Sequence, residues 1–199
     1  MNLIVTEVQA WLAKFSTAIV ENKDYLSDLD TPIGDGDHGN NMARGVIAYE
    51  ESVAKTTPKD ISATFQALSM AMLSKVGGAS GPLYGSAFMK MTKSTKSVET
   101  ITSYEQLGDI LAEGLEGIKT RGKVELQDKT MIDVWDPVVK AMQVGELDYD
   151  MVETAKETTK DMVARKGRAS YLGERSVGHI DPGATSSALL FKTLLEVVH

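Results

Sequence analysis

Apolar residues recur every three or four positions along nearly the whole chain. That is the period of an amphipathic helix, not the alternation of a strand. Val5, Val8, Trp11, Leu12, Phe15 and Ile19 define a first helical face, and Met42, Val46, Ile47 and Tyr49 a second, beyond a Gly/Asp-rich interruption. Pro58 and Asp60 form a start signal ahead of Ile61, Phe65, Leu68, Met72 and Leu73. A fourth helix is expected with Pro82 in its first turn, where the missing N–H has no helical partner to lose. Tyr104, Leu107, Ile110, Leu111, Leu115 and Ile118 follow Ser103 as a fifth. Met131, Ile132, Val134, Trp135, Val138, Val139 and Met142 make a sixth, with Pro137 expected to kink it. Tyr149, Val152, Met162 and Val163 lie on a seventh. Asp181-Pro182, an acidic cap with Pro at the first helical position, opens a last helix running through Leu189, Leu190, Leu194 and Val197. The pattern predicts an all-α fold of about eight helices. It is expected to form one domain over residues 1–199, without a convincing strand, repeat or linker. Trp11, Trp135, Met70 and Met72 are expected in the core, and the terminal His199 is expected to be mobile.

Composition narrows the chemistry. The chain has 199 residues, of which 28 are Asp or Glu, 21 Lys or Arg and none Cys, with a net charge of −7. A chain of this length buries roughly 70% of its unfolded surface, so neither a disulfide nor a metal is needed for folding. Zero Cys excludes disulfides, Fe–S clusters, thiolate zinc sites and thiol nucleophiles. The acidic balance argues against a nucleic-acid partner. Met1–Glu7 lacks the basic start of a targeting signal, and Glu7, Lys14 and Glu21 interrupt the apolar stretch around Trp11. No run approaches the ~18–20 apolar residues of a membrane span. A cytoplasmic protein without a membrane partner is the expectation.

The densest signal is Asp30-Thr-Pro-Ile-Gly34-Asp35-Gly36-Asp37-His38-Gly39-Asn40-Asn41. Three carboxylates this close repel, each raising its neighbours' pKa. A hard cation removes that penalty, and oxygen donors without Cys point to Mg²⁺, Mn²⁺ or Ca²⁺. A solvated turn is the alternative, since Asp and Gly are favoured turn residues. Gly34-x-Gly36-x-x-Gly39 spells a dinucleotide fingerprint, but no strand precedes it and Asp35 and Asp37 would repel pyrophosphate. An EF-hand fails because position twelve is Val46. Gly117–Lys123 spells most of a P-loop, but Val124 follows. It reads as a helix C-terminus with cations on the dipole.

Gly77-Gly-Ala-Ser-Gly81 sits between two helices. Its small residues let backbone N–H groups approach an anion at the next helix start, unless it is only a turn. Next to an acidic, metal-type loop, a nucleotide phosphate is the economical explanation. The stretch from Gly167 to Ala184 is long and Gly-rich for a passive connection. Arg168 or Arg175 there could neutralise phosphate, or pair on the surface with Glu174.

Taken together, Gly34-Asp-Gly-Asp-His-Gly39, Gly77-Gly-Ala-Ser-Gly81, Asp128-Lys-Thr-Met131, Gly167-Arg-Ala-Ser-Tyr-Leu-Gly-Glu-Arg-Ser176 and Asp181-Pro-Gly-Ala184 resemble the nucleotide-binding L-subunit family of dihydroxyacetone kinases. The motifs keep the family's order over almost the whole chain. The resemblance implies a barrel of eight antiparallel helices with ADP or ATP and two Mg²⁺ at one end. It makes Asp30, Asp35 and Asp37 the Mg²⁺ ligands. It makes His38, Gly39, Asn40, Asn41, Gly78, Ala79, Ser80, Gly122, Thr130, Met131, Asp181, Pro182 and Gly183 nucleotide contacts, with Arg168 near the phosphates. The length leaves no room for a fused substrate domain, which resembles the phosphotransferase-system type. That type implies two partners: a K subunit holding dihydroxyacetone, and a phosphohistidine-carrying M-type protein that recharges the nucleotide. Fatty acid kinases share a related domain, but their loop tends to read Asp-Gly-Asp-Thr-Gly, and His38 favours dihydroxyacetone kinase. The competing functions are a non-catalytic nucleotide-binding regulator, an ATP-dependent kinase subunit and a helical bundle with structural Ca²⁺.

Overall fold

Start signals in the sequence become working helix caps. Asp60 Oδ1 accepts from the Ala63 N–H at 2.7 Å, Ser103 Oγ from Gln106 at 3.0 Å, Asp148 Oδ1 from Met151 at 2.8 Å and Asp181 Oδ2 from Ala184 at 2.7 Å. Each satisfies an N–H that the first turn leaves without a helical partner. The structure, a computed structural model, describes residues 1–198. The expectation for His199 lies outside the described residues. These contain α1 (Val5–Glu21), α2 (Lys23–Asp30), α3 (His38–Lys55), α4 (Ile61–Lys75), α5 (Ser80–Ser94), α6 (Tyr104–Gly122), α7 (Ile132–Val144), α8 (Tyr149–Thr158) and α9 (Pro182–Leu195). Two 3₁₀ segments, Thr159–Asp161 and Arg168–Ser176, lie between α8 and α9. The fold is all-α. Its one β-type contact among the described residues is the isolated bridge Leu3–Ile101.

Neighbours in sequence from α3 to α9 pack on one another, and α1 closes the circuit against α9 and α3. Trp11 ties that closure: it is fully buried, packs edge-on against Phe65, and donates its indole N–H to the Leu190 carbonyl at 2.8 Å. Trp135 and Phe191 lock α7 to α9 edge-to-face, with ring centroids 4.9 Å apart. Short connections make successive helices antiparallel. Every second connection (α2–α3, α4–α5, α6–α7 and the long α8–α9 segment) contributes to one cavity, at the same end of the barrel.

Three expectations need correction. α2 adds a helix that periodicity did not reveal, because Leu26 is its one buried residue. α8 ends at Thr158, leaving Met162 and Val163 beyond it. There the Thr158 and Thr159 hydroxyls bond the Ala155 and Lys156 carbonyls at 2.7 Å and tighten the chain into 3₁₀ turns. Met70 is exposed, two positions from buried Leu68 and Met72 and hence on the opposite side of α4.

Candidate functional site

The four connections at one end surround a cavity of about 520 Å³. The α2–α3 connection contributes Asp30, Asp35, Asp37 and His38, and α3 adds Asn41. Gly78, Ala79 and Ser80 come from the α4–α5 connection, and Gly122, Thr130 and Met131 from α6–α7. The segment before α9 brings Arg168, Asp181, Pro182 and Gly183. Gly39 and Asn40 do not line the cavity. Gly39 lies where α3 crosses α2, and a Cβ there would collide with the Lys23 carbonyl. Asn40 points to solvent. Buried Asn41 accepts a hydrogen bond from Arg44 through Oδ1.

The acidic corner is built by a fold-back. Asp30 ends α2, and its carbonyl accepts the Gly34 N–H at 2.6 Å. Its Oδ2 accepts from the N–H groups of Asp37 at 3.0 Å and His38 at 3.3 Å. Gly36 makes the turn at φ +73°, a conformation that favours glycine. As a result, carboxylate oxygens of Asp30, Asp35 and Asp37 lie within 4.8 Å of one another. Burial raises the Asp30 pKa most, and the charges of Asp35 and Asp37 raise it further, against the pull of the two N–H donors. Arg168 Nη1 reaches Asp35 Oδ2 at 2.9 Å. Hard oxygen donors, crowded negative charge and a partly desolvated carboxylate fit a divalent cation.

Beside this corner, α5 begins at Ser80 with backbone N–H groups free of helical partners. Gly78 precedes it at φ +66°, and no atom lies within 4 Å of where a Cβ would stand. From Ser80 a polar chain runs into the core. Ser80 Oγ meets His38 Nδ1 at 3.1 Å, and His38 Nε2 meets Ser186 Oγ at 3.0 Å. Tyr84 OH joins Ser186 at 2.8 Å and Ser187 at 3.0 Å, and Trp135 Nε1 donates to Ser187 at 3.1 Å. Burial lowers the His38 pKa to about 4 and pushes the Tyr84 phenol far up.

The third side is apolar. Ile33, Leu83 and Val124 line it beside Met131 and Pro82, and the sequence patterns had not marked them. Gly122 was the usable signal: a Cβ there would press on Leu83 at 3.0 Å and Val124 at 3.1 Å, so glycine keeps the slot open. Arg121, Lys129 and Lys166 also line the cavity and are not among the expected site residues. The whole can hold a flat apolar group on one wall, an anion at the α5 start and a cation at the aspartates.

The DAK2 domain model matches residues 32–196. The ADP-binding subunit DhaL of PEP-dependent dihydroxyacetone kinase 1 from Listeria innocua is 55% identical over 94% of this chain and 93% of its own length. The ADP-binding subunit DhaL of the PTS-dependent dihydroxyacetone kinase from Lactococcus lactis is 50% identical over 94% of this chain and 95% of its own. Among solved structures, the C. freundii dihydroxyacetone kinase in complex with AMP-PNP and Mg²⁺ superposes with a TM-score of 0.75 at 21% identity. That match covers 98% of this chain, which spans only 34% of the longer C. freundii protein. No helix among the described residues is long and apolar enough to cross a membrane.

Proposed function

The chain belongs to the DAK2 domain family, and from that premise we propose that it holds ADP or ATP as a coenzyme between two partners. A phosphohistidine-bearing protein of the phosphotransferase system recharges the nucleotide, and a separate K subunit presents dihydroxyacetone to accept the γ-phosphoryl group. Phosphoryl transfer is the chemistry of its kinase-subunit relatives, and the chain is a phosphotransferase subunit. The names of the Listeria and Lactococcus relatives support ADP as the bound nucleotide. The observation that carries the reading is convergence: three carboxylates, an anion-ready helix start and an arginine face one cavity from three separate connections.

Each residue has a physical task in this reading. Asp30, Asp35 and Asp37 hold two Mg²⁺, and the ions supply neutralisation of phosphate charge. The Gly78–Ser80 backbone and the α5 start take the phosphate oxygens. Arg168 stabilises charge developing on the transferred group, an electrostatic role worth about 100- to 1000-fold when one such donor is lost. Leu83, Val124 and Met131 receive the base, with Gly122 leaving room for it. Asp181, Pro182 and Gly183 close the α9 side. Catalysis by positioning and electrostatics needs no covalent intermediate on this chain.

Reconstitution tests the function. Purified chain, K subunit and the phosphorylated phosphotransferase protein should yield dihydroxyacetone phosphate with catalytic amounts of ADP. The protein should retain ADP through gel filtration, and calorimetry should count two Mg²⁺ per nucleotide. Tight ADP binding with no transfer in the complete mixture would instead identify a non-catalytic regulator.

A further inference from the structure

Lys129 has no part in the scheme above, yet it occupies an unusual position. Its side chain is 1% exposed, and no carboxylate lies within salt-bridge distance of it among the described residues. A buried ammonium needs replacement for its lost hydration. Here four backbone carbonyls provide it: Thr159 at 2.7 Å, Met162 at 3.1 Å, Ser176 at 2.9 Å and His179 at 2.5 Å. Three N–H donors serve four acceptors, so the cage is closer to ion coordination than to ordinary hydrogen bonding.

The four carbonyls come from the two ends of one segment. Thr159 and Met162 stand at its start, Ser176 and His179 at its finish, and the cavity-lining residues Lys166, Gly167, Arg168 and Ala169 lie between. The neighbouring backbone reinforces the grip. The Asp128 carbonyl accepts the Arg165 N–H at 3.0 Å, and the Lys160 carbonyl accepts the Gly178 N–H at 2.8 Å. The Lys129 backbone is left-handed at φ +61°, as is Gln127 at φ +70°. Non-glycine residues stay in that region only where their surroundings over-determine it. Asp133 does so here, accepting the Gln127 N–H at 2.6 Å and the Thr130 N–H at 2.8 Å. A continuous mechanical path therefore runs from α7 through a constrained turn and Lys129 to the segment bearing Arg168.

We propose that Lys129 is a positioning residue for phosphoryl transfer: its caged ammonium clasps residues 159–179 and so sets Arg168 over the acidic corner. The part concerning Arg168 rests on the function proposed above; the clasp itself does not. Without the ammonium, four carbonyl dipoles converge with no cation between them, and the segment should open.

The test uses Lys129→Met, Arg168→Ala and the double variant in the full chain. Amide exchange over residues 160–180 should rise at least about tenfold in K129M, with α4 to α6 unchanged. Transfer should fall about 100-fold while ADP affinity changes far less, as expected when an acting group is displaced by about an ångström. In the R168A background K129M should cost little more, because both changes remove the same contribution. Lys129→Ala plus ethylammonium should recover part of the exchange protection, with tetramethylammonium inert. That rescue also serves if K129M folds poorly. Unchanged exchange in K129M would overturn the clasp. Fully additive losses in the double variant would overturn positioning through Arg168. Wild-type transfer by R168A alone would refute the arginine's assigned role, while the exchange result would still judge the clasp.

Discussion

Arg168 spans the mouth of the cavity to Asp35, Nη1 to Oδ2 at 2.9 Å. The arginine is 69% exposed, so the pair contributes only about 0–1 kcal/mol to stability. Its consequence is competition, because Arg168 supplies Asp35 with the positive charge that a metal ion would otherwise bring. Arg168→Ala should therefore tighten the binding of Mg²⁺ alone, measured by calorimetry without nucleotide. The same variant should lose about 100- to 1000-fold in transfer rate while its melting temperature hardly moves. Weaker Mg²⁺ binding in R168A would contradict the competition.

Asp30 is the most enclosed of the three aspartates, and burial makes its charge costly. Asp30→Asn keeps an oxygen to accept from the Asp37 and His38 N–H groups and removes that charge. The metal-free variant should be as stable as the parent or slightly more so, by urea midpoint. Mg²⁺ affinity should fall by on the order of 100-fold, as for loss of a metal-orienting group. A variant that unfolds easily yet still binds Mg²⁺ would make Asp30 a structural residue.

Two desolvated groups give the metal-free protein opposite pH responses. Asp181 is pushed up to about 7, chiefly by burial and then by Asp133 and Asp30, against the Ala184 N–H and Lys129. The folded state therefore binds its proton first, and this contribution to stability is lost as pH rises from about 4 through about 7. Burial takes His38 down to about 4, so the unfolded chain binds that proton first, and stability is lost as pH falls from about 6.5 towards 4. Each group contributes a slope of up to about 1.4 kcal/mol per pH unit. Asp181→Asn, which can still cap α9, should make the protein more sensitive to mild acid than the parent. His38→Asn should make it less so. Denaturant midpoints between pH 4.5 and 7 decide both signs.

Gly39 separates the family resemblance from the packing. The resemblance groups it with the nucleotide contacts, whereas the structure places it against the Lys23 carbonyl on α2, away from the cavity. Gly39→Ala should push α2 off α3 and cost about 1–3 kcal/mol by overpacking. Because α2 ends in Asp30, cation binding should weaken with it, although no cavity contact is touched. A fully stable G39A with impaired nucleotide binding would support direct contact instead.

How legible the molecule is in its sequence depends on which physical signal each part sends. α9 was readable because Asp181, Pro182 and a buried face all say the same thing. α2 was not, since it is held by a glycine crossing and a single buried Leu26, and neither leaves a period. The site's charged and glycine-rich corners were visible because clustered carboxylates and small residues carry an evident cost away from a ligand. The apolar wall was hidden: Leu83 and Val124 look like any other core residues until the fold sets them across Gly122. Lys129 stands out in the sequence only as part of Asp128-Lys-Thr-Met131, and its partners are carbonyls, which every residue possesses.

One assignment of protons satisfies every contact in the polar chain behind Ser80. Trp135 can only donate to Ser187, and with every contact made Ser187 gives its own proton to Tyr84. Tyr84 then donates to Ser186, whose proton goes to the Gly183 carbonyl at 3.1 Å. In that assignment His38 Nε2 donates to Ser186 and Nδ1 accepts from Ser80. Ser80 thereby turns its lone pairs, not its proton, to the cavity, which suits a hydrated cation or an N–H better than a phosphate oxygen. ¹⁵N spectra of the imidazole should show His38 protonated at Nε2 and bare at Nδ1. Tyr84→Phe should cost about 1–3 kcal/mol, since Ser186 and Ser187 each lose a buried partner. It should also leave Ser186 free to shift its proton, so the His38 tautomer should become mixed. The opposite tautomer in the parent protein would reverse the chain and make Ser80 a donor to phosphate.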